Sequence, residues 1–377
     1  MKDADEFYKP KIKENIQLDG IAAGAAEKDS AGPIFRKGFM MSLQSNFVTL
    51  ANNLMRPFSI SRDSINKVLI IIKNDNTAKI YSIFPLSIQV RAKKDIKTPT
   101  FVTKDDVFDI SALEFKDEIF EINIEEDDKI IYLFRVDWKF GLYFDFTKKL
   151  NVDNLKKELA NCYQRLFYYN LYAFVENKSY FNNVIEDGWF PFIQLIGNDF
   201  NQIIRYYEDG KEHNFQIDDL INKFTQERIN SFTQYWWKNK TFLDKKEIID
   251  AGIKSFLQND KSGFITCLHT LYPQIEGIVG LMFFKDHKKK LSSKKLIEYI
   301  KDKSKSKFST VSSTGFPNEF CEYLTKTVFE NFDISTGKLD LSRHTTAHGY
   351  ADSDDFNKAK ALQAILILDQ IHFYFAD

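Results

Sequence analysis

The length of 377 residues predicts two or three domains, and the content of hydrophobic (44%) and aromatic (15%) residues excludes a disordered protein. A formal net charge of −1 at pH 7 excludes a basic field over the whole molecule, so any binding of nucleic acid must be local. The three cysteines are far apart and form no C-x-x-C pair, and the N-terminus carries no signal pattern, so we expect a cytoplasmic protein without a membrane partner.

The first 150 residues predict an arm followed by strands. Residues 1–40 mix charges with a patch of small residues that lacks the spacing of a phosphate-binding loop, and we expect an N-terminal arm there. Residues 41–150 are expected to form a β-rich domain with a recognition or regulatory role, because they contain no cluster of histidine, cysteine or paired acids. The segments with strand character are 68–72, 78–90 with a break at Pro85, 119–124 and 130–145.

Residues 151–244 are expected to form a helical connecting region. Residues 155–176 have helical spacing and dense aromatic side chains. Such side chains can stack on nucleic-acid bases, but we favour a buried helix face. A second helical stretch, 217–237, contains the pair Trp236 and Trp237, which we interpret as core or interface residues.

Residues 245–377 have helical signals throughout and predict an all-α bundle. Pro317 suits the first position of its helix, and Ser353 with the two following acids predicts the cap and acidic first turn of the last one. The fold class expected for the chain is therefore α+β. The expected helices are 246–258, 262–284, 293–302, 317–332 and 354–375.

A lysine-rich stretch from Lys285 to Lys307 is the best local candidate for binding nucleic acid. It contains ten lysines but only three acids, Asp286, Glu298 and Asp302. The alternative is an ordinary solvated surface, and the sequence leaves both interpretations open.

The residues with the clearest chemical potential lie between 342 and 350, just before the last predicted helix. Arg343 supplies a permanent forked donor that suits phosphate, and His348 supplies a group that exchanges a proton near neutral pH. His344 lies in the same short window. Together these residue types favour phosphodiester chemistry, with Arg343 on the phosphate and His348 as general acid or base.

Glu276 is an acid in an otherwise apolar predicted helix. A buried carboxylate is costly unless it is paired, and we expect Arg343 to be its partner. The alternative, that Glu276 lies on the exposed side of its helix, remains open.

The segment Arg343-His344-Thr345-Thr346-Ala347-His348, continued by Gly349-Tyr350, resembles the R-x-x-x-x-H-x-Y signature of HEPN-domain ribonucleases. The resemblance covers roughly the last third of the chain. It implies an all-α bundle that dimerises and cleaves RNA without metal or cofactor, leaving a 2′,3′-cyclic phosphate and a 5′-OH. It makes Arg343 the phosphate ligand, His348 the general acid/base and His344 an orienting residue, and Tyr350 matches a position that antitoxins modify in some members. The resemblance also implies a toxin or abortive-infection protein whose controlling partner is an antitoxin or a phage component.

Two other interpretations compete with a ribonuclease. His344, His348 and Asp352 have the i, i+4, i+8 spacing of a metal site, although Gly349 argues against a continuous helix through them. The second alternative is a noncatalytic HEPN-like module that binds RNA or protein, in which Arg343 and His348 grip a phosphate or stabilise the bundle.

Overall fold

The chain forms two compact units, and a computed structural model gives their secondary structure. The first unit comprises residues 1–91 and 109–169, and the second comprises 92–108 and 170–377. The residues that the structure describes are 25–29, 32–42, 51–52, 55–56, 66–75, 77–94, 96, 101–211, 217–289, 293–307, 314–329, 346 and 351–376.

The first unit is built on an antiparallel sheet of six strands in the order β1-β2-β8-β7-β3-β4. A separate two-stranded sheet pairs β5 with β6. The strands are β1 (Ala25–Asp29), β2 (Gly32–Ser42), β3 (Lys67–Ile72), β4 (Ala78–Tyr81), β5 (Ser87–Ala92), β6 (Val107–Glu114), β7 (Lys129–Val136) and β8 (Lys139–Asp145).

The sheet has apolar side chains on both faces. Val68, Ile70 and Ile72 alternate along β3 and form one core with Leu133 and Phe144 from β7 and β8. On the other face, helix α1 (Val152–Phe167) packs against β7 and β8, and Tyr163 stacks on Phe134 with ring centroids 5.9 Å apart. Because both faces are covered, the central strands are apolar almost without interruption.

Two expectations for the N-terminal half were wrong, and a third is confirmed. The sheet begins within the residues expected to form an arm, since β1 and β2 lie before residue 43 and β2 pairs with β8 from Lys37 to Ser42. The segment 119–124 is not a strand and makes only the isolated bridge from Lys116 to Glu121. The strand character expected for residues 130–145 is confirmed, because they form the hairpin of β7 and β8, with Asp137 at φ 53° and Trp138 80% exposed in its turn.

The second unit is helical. After α1, the described helices are α2 (Tyr169–Glu176), α3 (Lys178–Glu186), α4 (Asn198–Glu208), α5 (Ile217–Asn222), α6 (Gln226–Trp236), α7 (Lys240–Leu243), α8 (Lys246–Leu257), α9 (Lys261–His287), α10 (Ser293–Lys307), α11 (Pro317–Thr327) and α12 (Lys358–Phe375). An antiparallel sheet region followed by helices makes the chain an α+β protein, as the sequence predicts.

Helix α12 is the centre of the helical unit. It packs against α5, α6, α8, α9 and α10, and every side chain from Ala361 to His372 is buried. A helix that is apolar almost all round has to be surrounded by protein, which explains its composition. Its N-cap is Asn357, which accepts a hydrogen bond from the Lys360 N–H at 3.0 Å. The expected cap, Ser353, begins a separate 3₁₀ turn instead, so α12 starts four residues later than predicted.

Two expected helices are each divided. The stretch 155–176 breaks at Tyr168, between α1 and α2, where the chain also passes from the first unit to the second. The stretch 217–237 breaks before Thr225, whose hydroxyl caps α6 by accepting from the Arg228 N–H at 3.3 Å. The predicted connecting region 151–244 is therefore shared between the two units. The aromatic side chains Tyr172 and Phe174 are buried, in agreement with the helix-face interpretation.

Candidate functional site

The motif residues Arg343, His344, His348 and Tyr350 lie outside the described residues. Their convergence on one pocket therefore stays a prediction. Thr346, between the arginine and the second histidine, is described. It has helical backbone and is 3% exposed, and its hydroxyl has no hydrogen-bond partner in the part of the chain that the structure describes.

Glu276 is half-buried on α9. Its neighbours Ile275 and Ile278 are fully buried, whereas Gly277 is exposed, so the carboxylate lies at the border between the core and the surface of the helix. This position lies between the two alternatives that the sequence left open. The expected ion pair with Arg343 stays a prediction, because the arginine is outside the described residues.

A cavity of about 810 Å³ in the helical unit is lined by described residues that precede the motif in the chain and by others that follow it. Lys326 and Thr327 line it from the end of α11, and Asp354 and Asn357 line it from the residues that lead into α12. The described chain that precedes and follows the motif therefore meets at one cavity. The other lining residues are Glu186, Asp187, Trp189, Tyr206, Tyr207, Ile217, Asp355, Ala359 and Lys360.

Asp187 is held as a carboxylate at this cavity. It accepts hydrogen bonds from the Tyr207 hydroxyl and from the Lys211 ammonium group, the latter at 2.7 Å. Burial would raise the pKa of Asp187, but these two hydrogen bonds outweigh it and hold the pKa below its usual range. A carboxylate that is charged and already hydrogen-bonded is a poor proton acceptor, so Asp187 is not suited to general base catalysis.

The backbone at Asp187 and Gly188 is held by side chains of α11 and α12. The Gln363 side chain donates to the Asp187 carbonyl at 3.1 Å, and the Tyr323 hydroxyl donates to the Gly188 carbonyl at 3.0 Å. Gly188 has φ +82°, and a Cβ placed there would lie 2.1 Å from the Gln363 Oε1. Only glycine therefore fits this turn, for both its backbone conformation and its closeness to Gln363.

The described lining of the cavity is acidic. It contains four carboxylates but only two ammonium groups, those of Lys326 and Lys360. Lys326 also contacts Asn182 at 2.8 Å and Glu322 at 3.3 Å. Because carboxylates repel phosphate, phosphodiester chemistry at this cavity depends on a strong cation such as Arg343.

A buried polar cluster on α12 was not expected from the sequence. Asp369 accepts hydrogen bonds from the Trp236 indole at 2.7 Å and from the Gln194 amide at 3.0 Å. Burial raises the pKa of Asp369 to about 6 even though both hydrogen bonds favour the charged form. Since Asp369 is only 6% exposed, this cluster is a structural element of the bundle.

The described residues contain neither a metal cluster nor an activated thiol. No group of three or more His, Cys, Asp or Glu within the described ranges is arranged to hold a metal ion. Of the alternative metal ligands, His344 and His348 lie outside those ranges, and Asp352 caps the 3₁₀ turn Ser353–Asp355. The three cysteines are free and buried, and burial raises the pKa of Cys267 and Cys321 to about 12 and raises that of Cys162 as well.

Comparison with known proteins gives no relative. The chain matches no protein-family model, no curated protein and no solved structure. Across the described part of the chain, no helix has both the length and the apolar character needed to cross a bilayer.

Proposed function

We propose that the chain is a metal-independent endoribonuclease of the HEPN type, acting in the cytoplasm as a toxin or as an antiphage defence protein. One observation carries the proposal: Arg343, His344, His348 and Tyr350 occupy the positions of the R-x-x-x-x-H-x-Y signature. An antitoxin or a phage component is the proposed controlling partner.

The proposed reaction is attack of the ribose 2′-OH on the adjacent phosphate. His348 accepts the 2′-OH proton, and Arg343 stabilises the negative charge that grows on the phosphate oxygens. The bond between phosphorus and the 5′-oxygen breaks, and this oxygen takes the proton from His348, which gives a 2′,3′-cyclic phosphate and a 5′-OH. His344 orients the reacting groups, and Glu276 orients the Arg343 guanidinium.

The helical unit supports this proposal in two ways. The predicted all-α character of the last third agrees with helices α8 to α12. The described chain on either side of the motif lines one cavity, and a volume of about 810 Å³ is large enough for a nucleotide. The cavity is therefore the proposed location of the scissile phosphate.

The lysine-rich surface is the proposed binding surface for the RNA backbone. Lys288, Lys289, Lys295 and Lys305 are exposed at the end of α9 and on α10. Asp286, one of the acids within this stretch, is already paired with Lys303 at 2.7 Å. Exposed ammonium groups bind phosphates in a manner that weakens with salt.

A charge-neutralising variant tests whether this surface binds the RNA backbone. Lys295→Gln with Lys305→Gln should lower RNA affinity and reduce the slope of log affinity against log salt by about 1.4 for a single strand, that is about 0.7 per lost contact. The matched control, Lys148→Gln with Lys149→Gln, removes the same charge from exposed lysines of the first unit. Equal slopes for the two variants would exclude α10 as the RNA-binding surface.

The proposed homodimer uses the exposed face of α9. Leu281 and Phe284 are 40% and 44% exposed there, and the adjacent Gly277 would place a Cβ within 4 Å of no described atom. Leu281→Lys should convert a dimer into a monomer in light scattering, whereas Ile83→Lys, at an exposed site of the first unit, should not. A dimer that survives Leu281→Lys would place the interface elsewhere.

A direct test compares RNA integrity and growth on expression of three proteins. The wild type should degrade cellular RNA and slow growth, and His348→Ala should do neither. His269→Ala is the matched control, because it removes an exposed imidazole from the same unit outside both the motif and the lysine-rich stretch, and it should behave as the wild type does. Equal RNA integrity and growth for wild type and His348→Ala would favour the noncatalytic binding module.

A further inference from the structure

A second cavity, of about 460 Å³, lies in the helical unit. Residues 93–106, the segment that leads into α4, and the first turns of α6 provide its walls. The motif does not border it in the chain, and its lining shares no residue with the larger cavity. It is therefore a separate candidate for binding a small molecule.

Two of the three cations in the lining of this second cavity are neutralised by carboxylates. Lys94 pairs with Asp106 at 2.8 Å. Arg228 pairs with Asp199 at 2.8 Å, and its guanidinium stacks on the Phe224 ring at 3.9 Å. These ion pairs hold the two side chains in place in the wall.

Lys93 has a different environment. Its ammonium group donates to the Ile196 carbonyl, and no carboxylate of the described residues lies within ion-pair distance of it. Its backbone is fixed as well, because the Lys93 N–H donates to the Asp106 carbonyl at 2.9 Å. A carbonyl acceptor leaves the amine without the compensating charge that its neighbours have.

The environment raises the fraction of neutral amine. The pKa of Lys93 is lowered to about 8, mainly by burial and in part by the Arg228 charge, against the opposing effect of Asp105, Asp199 and Asp106. A neutral amine can donate an N–H to the Ile196 carbonyl while its lone pair remains available for attack. Desolvated lysines in such surroundings are the ones that form imines with carbonyl compounds.

We propose that Lys93 is the nucleophile of a carbonyl-binding site, and that a small polar aldehyde entering this cavity forms an imine with its Nζ. The Nζ lone pair forms a bond to the carbonyl carbon, and the carbonyl π electrons move to oxygen. A proton moves from nitrogen to oxygen to give a carbinolamine, which loses water to leave the C=N bond. The step consumes no oxidant or reductant, and water is its only by-product.

Reductive trapping on the full chain tests the proposal. The protein is incubated at pH 7.5 with glyceraldehyde and cyanoborohydride, and the modified lysines are mapped by peptide mass spectrometry. Lowering the pKa of a lysine from 10.5 to about 8 raises its neutral fraction at this pH about 200-fold, and the accompanying loss of nucleophilicity leaves a preference on the order of tenfold. Lys93 should therefore be modified at least about tenfold faster than its neighbour Lys94, with a rate that saturates as glyceraldehyde increases.

Three results would overturn the proposal. Lys93 could react no faster than Lys94, its rate could rise linearly with aldehyde without saturation, or the preference could persist in urea, where the cavity is lost. Lys93→Arg should remove the trapped product while leaving the far-ultraviolet circular dichroism unchanged. The readout does not involve RNA, so this test is independent of the proposed nuclease activity.

Discussion

Replacing Asp369 by asparagine should make stability less dependent on pH. In the folded chain, burial raises the pKa of Asp369 from 3.8 to about 6, despite hydrogen bonds from Trp236 and Gln194. The folded state therefore holds this proton more tightly than the unfolded state, and stability is lost as pH rises from the lower pKa to the higher one. Asparagine retains an acceptor for the Trp236 indole but carries no charge.

The size of the effect follows from the shift in pKa. The rise in the pKa of Asp369 from 3.8 to about 6 corresponds to about 3 kcal/mol, of which about 2 kcal/mol falls between pH 4 and pH 7. The free energy of unfolding of Asp369→Asn, relative to wild type, should therefore rise by about 2 kcal/mol over that interval. The other carboxylates cancel in this difference, because both proteins contain them.

Urea unfolding at pH 4, 5, 6 and 7, followed by tryptophan fluorescence, measures this difference. A Trp138→Phe background removes the exposed tryptophan of the first unit, so that Trp189, Trp236 and Trp237 report on the helical unit. A difference between variant and wild type that stays constant within about 0.5 kcal/mol from pH 4 to pH 7 would refute the raised pKa and the burial argument behind it.

Three further predictions concern the wall of the larger cavity, the buried cluster and the motif. Gly188→Ala should destabilise the protein by about 2 kcal/mol or more in urea unfolding, whereas Gly210→Ala, also at positive φ but with open space around a Cβ, should lose only about 1 kcal/mol; equal losses would contradict the contact with Gln363. Trp236→Phe removes the indole donor to Asp369 and should cost about 1–3 kcal/mol, a loss that shrinks in an Asp369→Asn background. RNA cleavage should fall as pH drops through about 6.5 if His348 is the general base, and a flat rate from pH 5 to pH 8 would exclude that role.

Elements with strong local signals could be predicted from the sequence. The β-branched run in β3 ends at a turn, and the Pro317 start of α11 matches the expected helix start. The strand prediction for 119–124 was wrong for a local reason. The Asp117 carboxylate accepts hydrogen bonds from the Ile119 and Phe120 N–H groups at 2.8 Å each, and these bonds hold a turn there.

The buried cluster and the second cavity depend on tertiary contacts that no local pattern contains. The Asp369 carboxylate is hydrogen-bonded to Trp236, which is 133 residues away in the sequence, and the Lys93 amine is hydrogen-bonded to Ile196, which is 103 residues away. In the sequence, Asp369 is a polar residue within an apolar helix, and no neighbouring residue distinguishes Lys93 from the other lysines. Their environments arise from partners that the fold brings together, so periodicity and spacing could not reveal them.

The chemistry of the cleaved ends tests the central proposal most directly. Purified wild type, Arg343→Ala and His348→Ala are incubated with RNA in EDTA, and the product termini are identified by enzymatic end-labelling and mass spectrometry. The wild type should yield 2′,3′-cyclic phosphate and 5′-OH ends, and both variants should lose cleavage. Intact RNA with the wild type, or fragments ending in 3′-OH and 5′-phosphate, would contradict the proposed ribonuclease.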